Sequence, residues 1–344
     1  MLLINSKNSE ILLTSPDYPP KIGGLSTFTK SIENSLKRIN LEYDLFVWED
    51  IKTLKKTKKF QKKYRFIINV HFYVSFYLKD LGYQHINFIH GSEITMSSPN
   101  LLKNILKKLL KKNFYKALER SHFNIFISQA TQNIIVDNGY KLNYSRDFIF
   151  PNCIELKNHF FYKKKFSDKT IKLICLARDV PHKNIEASLD CAEALAQVTK
   201  KDVILYVTKN LPSRPFVTCV NVSDVNNLER DKILAESHFN LLFSLDHSSK
   251  GFVEGFGLTV VEAGIMGTPS IVSCFGGLPE SCHSNDTGWV VNPTKENFIK
   301  LFQQIDEESY AIKSKNCYDH NCNYHSSKNY DDLFKVLLQL GGNS

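Results

Sequence analysis

Apolar runs of strand length alternate along this chain with amphipathic stretches of helix length, and the series runs through twice. In the first half the strands are expected at Ile11–Ser15, Tyr43–Trp48, Phe66–His71, Ile86–His90, Phe123–Ser128 and Phe148–Phe150. Helices lie between several of them, clearest at Leu25–Ile39, Leu101–Arg120 and Gln129–Asp137. The second series has strands at Lys172–Ala177, Val203–Thr208, Thr218–Val222, Asn240–Leu245, Ser270–Cys274 and Gly288–Val291. Its helices are expected at Asn184–Val198, Asn227–Ser237, Leu258–Met266 and Glu296–Asp306. A strand that is apolar almost throughout must be buried on both faces, which calls for a parallel sheet with helices on each side. Two such series predict an α/β chain of two doubly wound, Rossmann-like domains, 1–155 and 156–325. The break falls near residues 151–170, where Pro151-Asn152 precedes a polar, lysine-rich stretch. A last helix, Asn329–Leu340 within the tail 326–344, lies beyond the second series and is expected to pack back on the first domain. Ligands of such a pair bind at the carboxyl ends of the strands, facing a cleft between the domains.

Composition narrows the setting. Of 344 residues, 42% are hydrophobic and 23% charged, the balance of a soluble globular protein. No run approaches the roughly 18 apolar residues of a membrane span. Met1-Leu2-Leu3-Ile4 is followed at once by polar residues, so no secretory leader is expected. The eight cysteines are scattered without Cys-x-x-Cys spacing, which fits reduced thiols in the cytoplasm. Cys317, His320, Cys322 and His325 stand close in sequence; a metal site there is the minor reading and ordinary thiols the major one.

The string with most chemical content is Gly251-Phe252-Val253-Glu254-Gly255-Phe256-Gly257-Leu258-Thr259-Val260-Val261-Glu262-Ala263-Gly264. It follows a strand and opens a helix. Gly255 and Gly257, lacking Cβ, let the backbone come close to a ligand. The free N–H groups of a helix start suit a phosphate. Glu254 and Glu262 could then hold hydroxyls on either side of that phosphate. Acidic residues that merely complement a helix dipole are the bland reading of either glutamate alone. A second motif is Leu176-Ala177-Arg178-Asp179-Val180-Pro181-His182-Lys183-Asn184, which sets two cations at one strand end, as a diphosphate needs. A solvated basic pair is the alternative. After the first strand, Gly23-Gly24 in Tyr18-Pro19-Pro20-Lys21-Ile22-Gly23-Gly24-Leu25 opens a helix, either as a ligand loop or as a plain strand–helix turn. His90 and Glu93 end another strand in Ile89-His90-Gly91-Ser92-Glu93.

Taken together these strings resemble the retaining nucleotide-sugar glycosyltransferases of family 4, which have the GT-B fold of two Rossmann-like domains facing a cleft. The resemblance covers nearly the whole chain in order. It implies that Glu254 contacts the donor sugar and Glu262 the ribose hydroxyls of the Glu-x7-Glu motif. Arg178 and Lys183 would neutralise the leaving diphosphate, and His90 would contact the donor sugar or its phosphates. Gly23, Gly24, Gly255, Phe256, Gly257, Leu258 and Thr259 would line the donor. Gly276-Gly277-Leu278-Pro279-Glu280 matches a loop that approaches the donor in the family. Departures are Ala177 and Cys153 where glycine is usual, Glu155 where aspartate is usual, and a longer loop at Asp246–Lys250. The implied reaction is transfer of a hexose-type sugar, with retention, from a nucleoside-diphosphate sugar to a glycan or a polyprenyl-diphosphate-linked acceptor. Family usage suggests surface polysaccharide synthesis, such as lipopolysaccharide O-antigen or capsule. No cofactor is implied, and no metal, since Asp-x-Asp is absent from the sequence. A non-catalytic, membrane-associated protein on a degenerate GT-B fold and a nicotinamide-dependent dehydrogenase are the alternatives. The second lacks a Gly-x-Gly-x-x-Gly after the first strand.

The charge is uneven. Residues 1–155 carry 23 Lys+Arg against 13 Asp+Glu, a net +10, while the remainder nets −1. Lys52–Arg65 holds eight basic residues and no acid, and Leu101–Arg120 holds seven with one acid. In the latter, Leu102, Ile105, Leu106, Leu109, Leu110, Phe114, Ala117 and Leu118 recur at helical spacing. One reading is a domain helix with its apolar face in the core. The other is docking on an anionic membrane surface, the inner face of the plasma membrane, where each Lys or Arg adds about 1 kcal/mol. Nucleic-acid binding has no motif to support it.

Overall fold

The computed structural model describes residues 2–4, 9–21, 23–50, 53–54, 64–78, 84–91, 93–95, 97–98, 100–156, 161–283 and 286–341. Every residue of Ile11–Ser15, Phe66–Asn69 and Phe123–Phe126 is buried, as inner strands covered on both faces must be. The chain forms two units. The first comprises Met1–Glu155, Ser248–Gly255 and Ser326–Ser344, the second Leu156–His247 and Phe256–His325.

The sheet of the first unit has the order β1 (Leu2–Ile4), β3 (Tyr43–Val47), β2 (Ile11–Ser15), β4 (Phe66–Asn69), β5 (Gln84–Ile89), β6 (Phe123–Phe126), β7 (Asp147–Ile149). All neighbours are parallel except β1, which runs antiparallel to β3. Strand β1 was not expected, because three residues are too few to show a period. On one face Ile68, Ile86, Phe88 and Ile125 pack with Phe28, Ile32 and Leu36 of α1 (Gly24–Arg38). The last helix of the chain, Asn329–Leu340, adds Tyr330, Phe334 and Leu337 to the same core. Arg38 ties that helix down, donating to Asp331 at 2.8 Å and to Glu155 at 3.1 Å. The other face is covered through Phe72, Phe114, Leu118 and Ile135, the last three on α3 (Leu101–Arg120) and α4 (Gln129–Asp137); α2 is the short helix Tyr73–Leu78.

A row of buried polar side chains crosses this sheet in register. Thr14 donates to Asn69 (3.0 Å), Asn69 to Asn87 (2.8 Å), Asn87 to Asn124 (2.9 Å) and Asn124 to Asp147 (2.7 Å). These five residues are backbone partners on β2, β4, β5, β6 and β7. A slip of one residue would leave amides unpaired in the core, so the row fixes strand register.

The second unit is a six-stranded parallel sheet in the order β10 (Val217–Asn221), β9 (Asp202–Val207), β8 (Thr170–Cys175), β11 (Phe239–Leu242), β12 (Ser270–Ser273), β13 (Gly288–Val291). Leu173, Leu205, Leu241 and Ile271 form its centre, packed by Leu195 of α5 (Glu186–Thr199) and Phe298 of α9 (Lys295–Phe302). Between these lie α6 (Asn227–Glu236), α7 (Leu258–Gly264) and α8 (Leu278–Ser281). Helix α10 (Glu307–Tyr324) was missed in sequence: it buries only Tyr310, Ser314, Cys317 and Asn321, a narrow stripe half made of polar residues. It is started by a reciprocal cap between Asp306 and Ser309. Among the described residues, no group of three or more His, Cys, Asp or Glu side chains converges as a metal site.

Helix α3 departs from the reading that sends its apolar face to the core. Leu101, Leu102, Ile105, Leu106 and Leu109 are exposed, and burial begins only at the Phe114 end. Most of the basic stretch Lys52–Arg65 lies outside the described residues.

Candidate functional site

In the second unit β8 lies between β9 and β11, so the chain winds outward in one direction and then crosses to wind in the other. Loops leaving β8 and β11 diverge at this switch point, which is where open α/β sheets bind ligands. The β8 loop is the Arg178–Lys183 motif. Its root is stapled to β9: Ala177 N–H donates to the Thr208 hydroxyl at 3.2 Å, and that hydroxyl donates back to the Ala177 carbonyl. The loop then turns tightly, with Val180 N–H on Arg178 O (2.8 Å), Lys183 N–H on Val180 O (2.9 Å) and Asn184 left-handed at φ 47°. His182 turns into the protein, and its carbonyl accepts from Leu245 N–H at 2.8 Å, joining this loop to the segment after β11. Arg178 is exposed and Lys183 half-buried.

On the β11 side the chain enters α7 through Gly257, left-handed at φ +87°. A Cβ there would lie 2.5 Å from Leu278 and 3.1 Å from Leu242, so glycine is required both by conformation and by space. One residue beyond Leu258, the Thr259 hydroxyl is buried without a hydrogen-bond partner. One turn further stands Glu262, half-buried. Burial pushes its carboxyl above the usual carboxylate range, Arg230 on α6 pulls it back, and Asp231 pushes it up. Arg230 itself is held by Asp231 at 2.8 and 3.1 Å. Nothing in the sequence marked Arg230, because no motif surrounds it and the helix α6 reads as ordinary surface. Phe256 is buried against the His325 ring at 5.4 Å, which leaves only its backbone to meet a ligand.

In the first unit the switch point lies between β2 and β4. Gly23 caps α1, and a Cβ on it would meet nothing within 4 Å, so the helix start faces open space. Phe28 on this helix meets the His90 ring edge-on at 4.7 Å. His90 Nε2 is buried and has no partner. Burial lowers its pKa to about 4; Glu93 and a hydrogen bond with the Val70 backbone oppose this, while His71 adds to it. Its imidazole is therefore neutral at physiological pH. Glu93, 3% exposed, accepts from the His90 N–H through Oε1 at 2.6 Å, and its Oε2 has no partner. Buried polar atoms without partners are few in folded proteins. Three of them, on Thr259, His90 and Glu93, fall among the residues singled out from sequence.

Glu254 corrects the expected domain boundaries. The stretch 156–325 expected for the second domain is interrupted, because Ser248–Gly255 belongs with the first unit. The Ser128 hydroxyl donates to Gly255 O at 2.8 Å, and a Cβ on Gly255 would stand 2.2 Å from the His90 carbonyl. Glycine at 255 thus lets the segment lie against the end of β5, with Glu254 next to it in sequence. Gly23, Gly24, His90, Glu254 and Gly255 lie on the first unit. Arg178, Lys183, Phe256, Gly257, Leu258, Thr259 and Glu262 lie on the second.

Residues 229–320 match the family described as "Glycosyl transferases group 1". No curated protein matches the sequence. Among solved structures, Alr3699/HepE of Anabaena, in complex with UDP and glucose, is 14% identical with a TM-score of 0.67 over 96% of this chain and 99% of that one. Sucrose-phosphate synthase from Thermosynechococcus elongatus is 15% identical with a TM-score of 0.70 over 98% and 100%. A glycosyltransferase from Rickettsia africae is 14% identical with a TM-score of 0.62 over 96% and 99%. At these identities the likeness establishes the fold.

Proposed function

We propose that this chain, a glycosyltransferase of group 1 with the GT-B fold, moves a hexose with retention from a uridine-diphosphate sugar to a glycan or lipid-linked acceptor in surface polysaccharide synthesis. The feature that supports this reading is that Arg178 and Lys183, on the loop after β8, and Thr259 and Glu262, on α7 beyond β11, all follow the two strands flanking the switch point of one sheet. Their chemistry matches the parts of a nucleoside diphosphate. Glu262 accepts hydrogen bonds from the ribose hydroxyls. The Thr259 hydroxyl, buried and without a protein partner, donates to a phosphate oxygen. Arg178 and Lys183 stabilise the charge that develops as the diphosphate departs, which is where preorganised cations lower a barrier most. The relative whose structure holds UDP and glucose supports the choice of uridine.

On the first unit, neutral His90 hydrogen-bonds the sugar and Glu254 orients its hydroxyls. The acceptor oxygen bonds to the anomeric carbon on the face from which the diphosphate leaves. The carbon–oxygen bond to the diphosphate breaks, and a diphosphate oxygen takes the acceptor's proton. No protein nucleophile is required. Incubating the purified chain with UDP-glucose and following the anomeric proton and UDP release by NMR tests this. Release of UDP with the α configuration kept in the product or in liberated glucose supports it; a β product contradicts retention.

A further inference from the structure

The surface of α3 points to a second kind of partner. Five of the sixteen large hydrophobic residues exposed among the described residues lie on its first nine positions: Leu101 (71%), Leu102 (78%), Ile105 (48%), Leu106 (54%) and Leu109 (74%). At helical spacing they form one outward ridge spanning less than half the circumference. The inward side of the same turns is held by a polar contact instead. Lys107 Nζ donates to the carbonyls of Thr95 at 2.9 Å and Ser97 at 3.3 Å, fastening the helix to the loop after β5. With Lys107 turned inward here and Phe114, Ala117 and Leu118 buried further along, the five apolar residues of the first turns are left facing solvent. Exposed Lys108 and Lys112 border the ridge on one edge, Lys103 stands on the other, and Glu119 is the only acid in the helix. A contiguous exposed apolar patch of this kind marks an interaction surface.

We propose that α3 is a membrane-docking helix, which lays Leu101, Leu102, Ile105, Leu106 and Leu109 into the headgroup–acyl boundary of an anionic bilayer while its lysines meet the lipid phosphates. Charge complementarity selects this partner. The ridge is rimmed by cations, and the first 155 residues carry a net charge of +10. That combination is what interfacial helices use, apolar area for depth and Lys or Arg for anionic lipid. Among the described residues no helix is long and apolar enough to cross a membrane. The inference goes beyond the proposed donor chemistry and does not depend on it.

Co-sedimentation of the full chain with vesicles of pure phosphatidylcholine, and with vesicles in which a third of the lipid is phosphatidylglycerol, tests it without any sugar donor. Binding to the anionic vesicles is expected to exceed binding to the neutral ones about tenfold. The double variant Leu102→Ser/Leu109→Ser, altered only at exposed positions and checked for an unchanged melting temperature, should lose about tenfold on anionic vesicles. Lys108→Glu/Lys112→Glu should remove the anionic preference. Equal binding to both vesicles, or variants that bind like the wild type, would overturn the proposal. So would a wild-type dimer in gel filtration that ignores vesicles and becomes monomeric in the leucine variant, since the ridge would then belong to a second copy.

Discussion

His90 combines two properties that a sugar-binding histidine needs: a free ring nitrogen and no charge. Its lowered pKa, about 4, follows from burial. The sign of its pH effect is fixed by linkage. Between the unfolded value of 6.5 and about 4, the unfolded chain binds a proton that the folded chain refuses, so this residue's contribution to stability is full above 6.5 and declines as pH falls toward 4. The denaturation midpoint of His90→Asn should therefore fall less between pH 7 and pH 5 than that of the wild type. A parallel decline in both proteins would remove His90 as the source. Glu262 is shifted the other way, but its effect on ligand is also lost as pH falls: its carboxyl, pushed up by burial, must be ionised to accept from two ribose hydroxyls. Nucleotide affinity should accordingly weaken in mildly acidic buffer, at a higher pH than an ordinary carboxylate would cause. An affinity flat from pH 7 to pH 5 would argue that Glu262 is not the ribose acceptor.

At the scale of elements, two features carry testable energetics. Asn87 sits in the middle of the polar row that links five strands, and also accepts from Ser75 and donates to Ser121. Asn87→Ala strands several buried polar groups and should cost ~3 kcal/mol in chemical denaturation. A loss within the error of a surface substitution would mean the row is incidental to stability. Gly257→Ala forces a Cβ against Leu278 and Leu242 at a left-handed residue and should cost about 2 kcal/mol, together with nucleotide binding. Most of the strands and the long α3 were legible because apolar burial writes its period into the sequence. Asn69, Asn87 and Asn124 were not, since a polar residue in a strand carries no sign of whether its neighbour across the sheet will answer it. Helix α10 was illegible for a related reason: its buried stripe is built partly from Ser314 and Asn321. The glutamates and the Arg178–Lys183 loop were legible as motifs, whereas Arg230 reaches Glu262 only through tertiary placement. The exposed face of α3 could not be read either, because spacing shows that leucines share a side but not which side the protein covers.

For the whole molecule, the chain places one group of site residues on each of two doubly wound units, and lends Ser248–Gly255 from the second series to the first. Gly255→Ala examines that loan: its Cβ cannot coexist with the His90 carbonyl, so turnover should fall strongly while UDP binding, proposed for the second unit, should change little. An equal loss of both would mean the segment serves the nucleotide. The central claim is that the switch point of the second unit is a nucleoside-diphosphate site, and isothermal titration of UDP into the wild type and Glu262→Ala tests it most directly. The account predicts saturable one-to-one binding that weakens about 10- to 100-fold in the variant, the loss expected for charge-assisted hydrogen bonds to two hydroxyls. No heat of binding in the wild type, or equal affinity in both proteins, would contradict it.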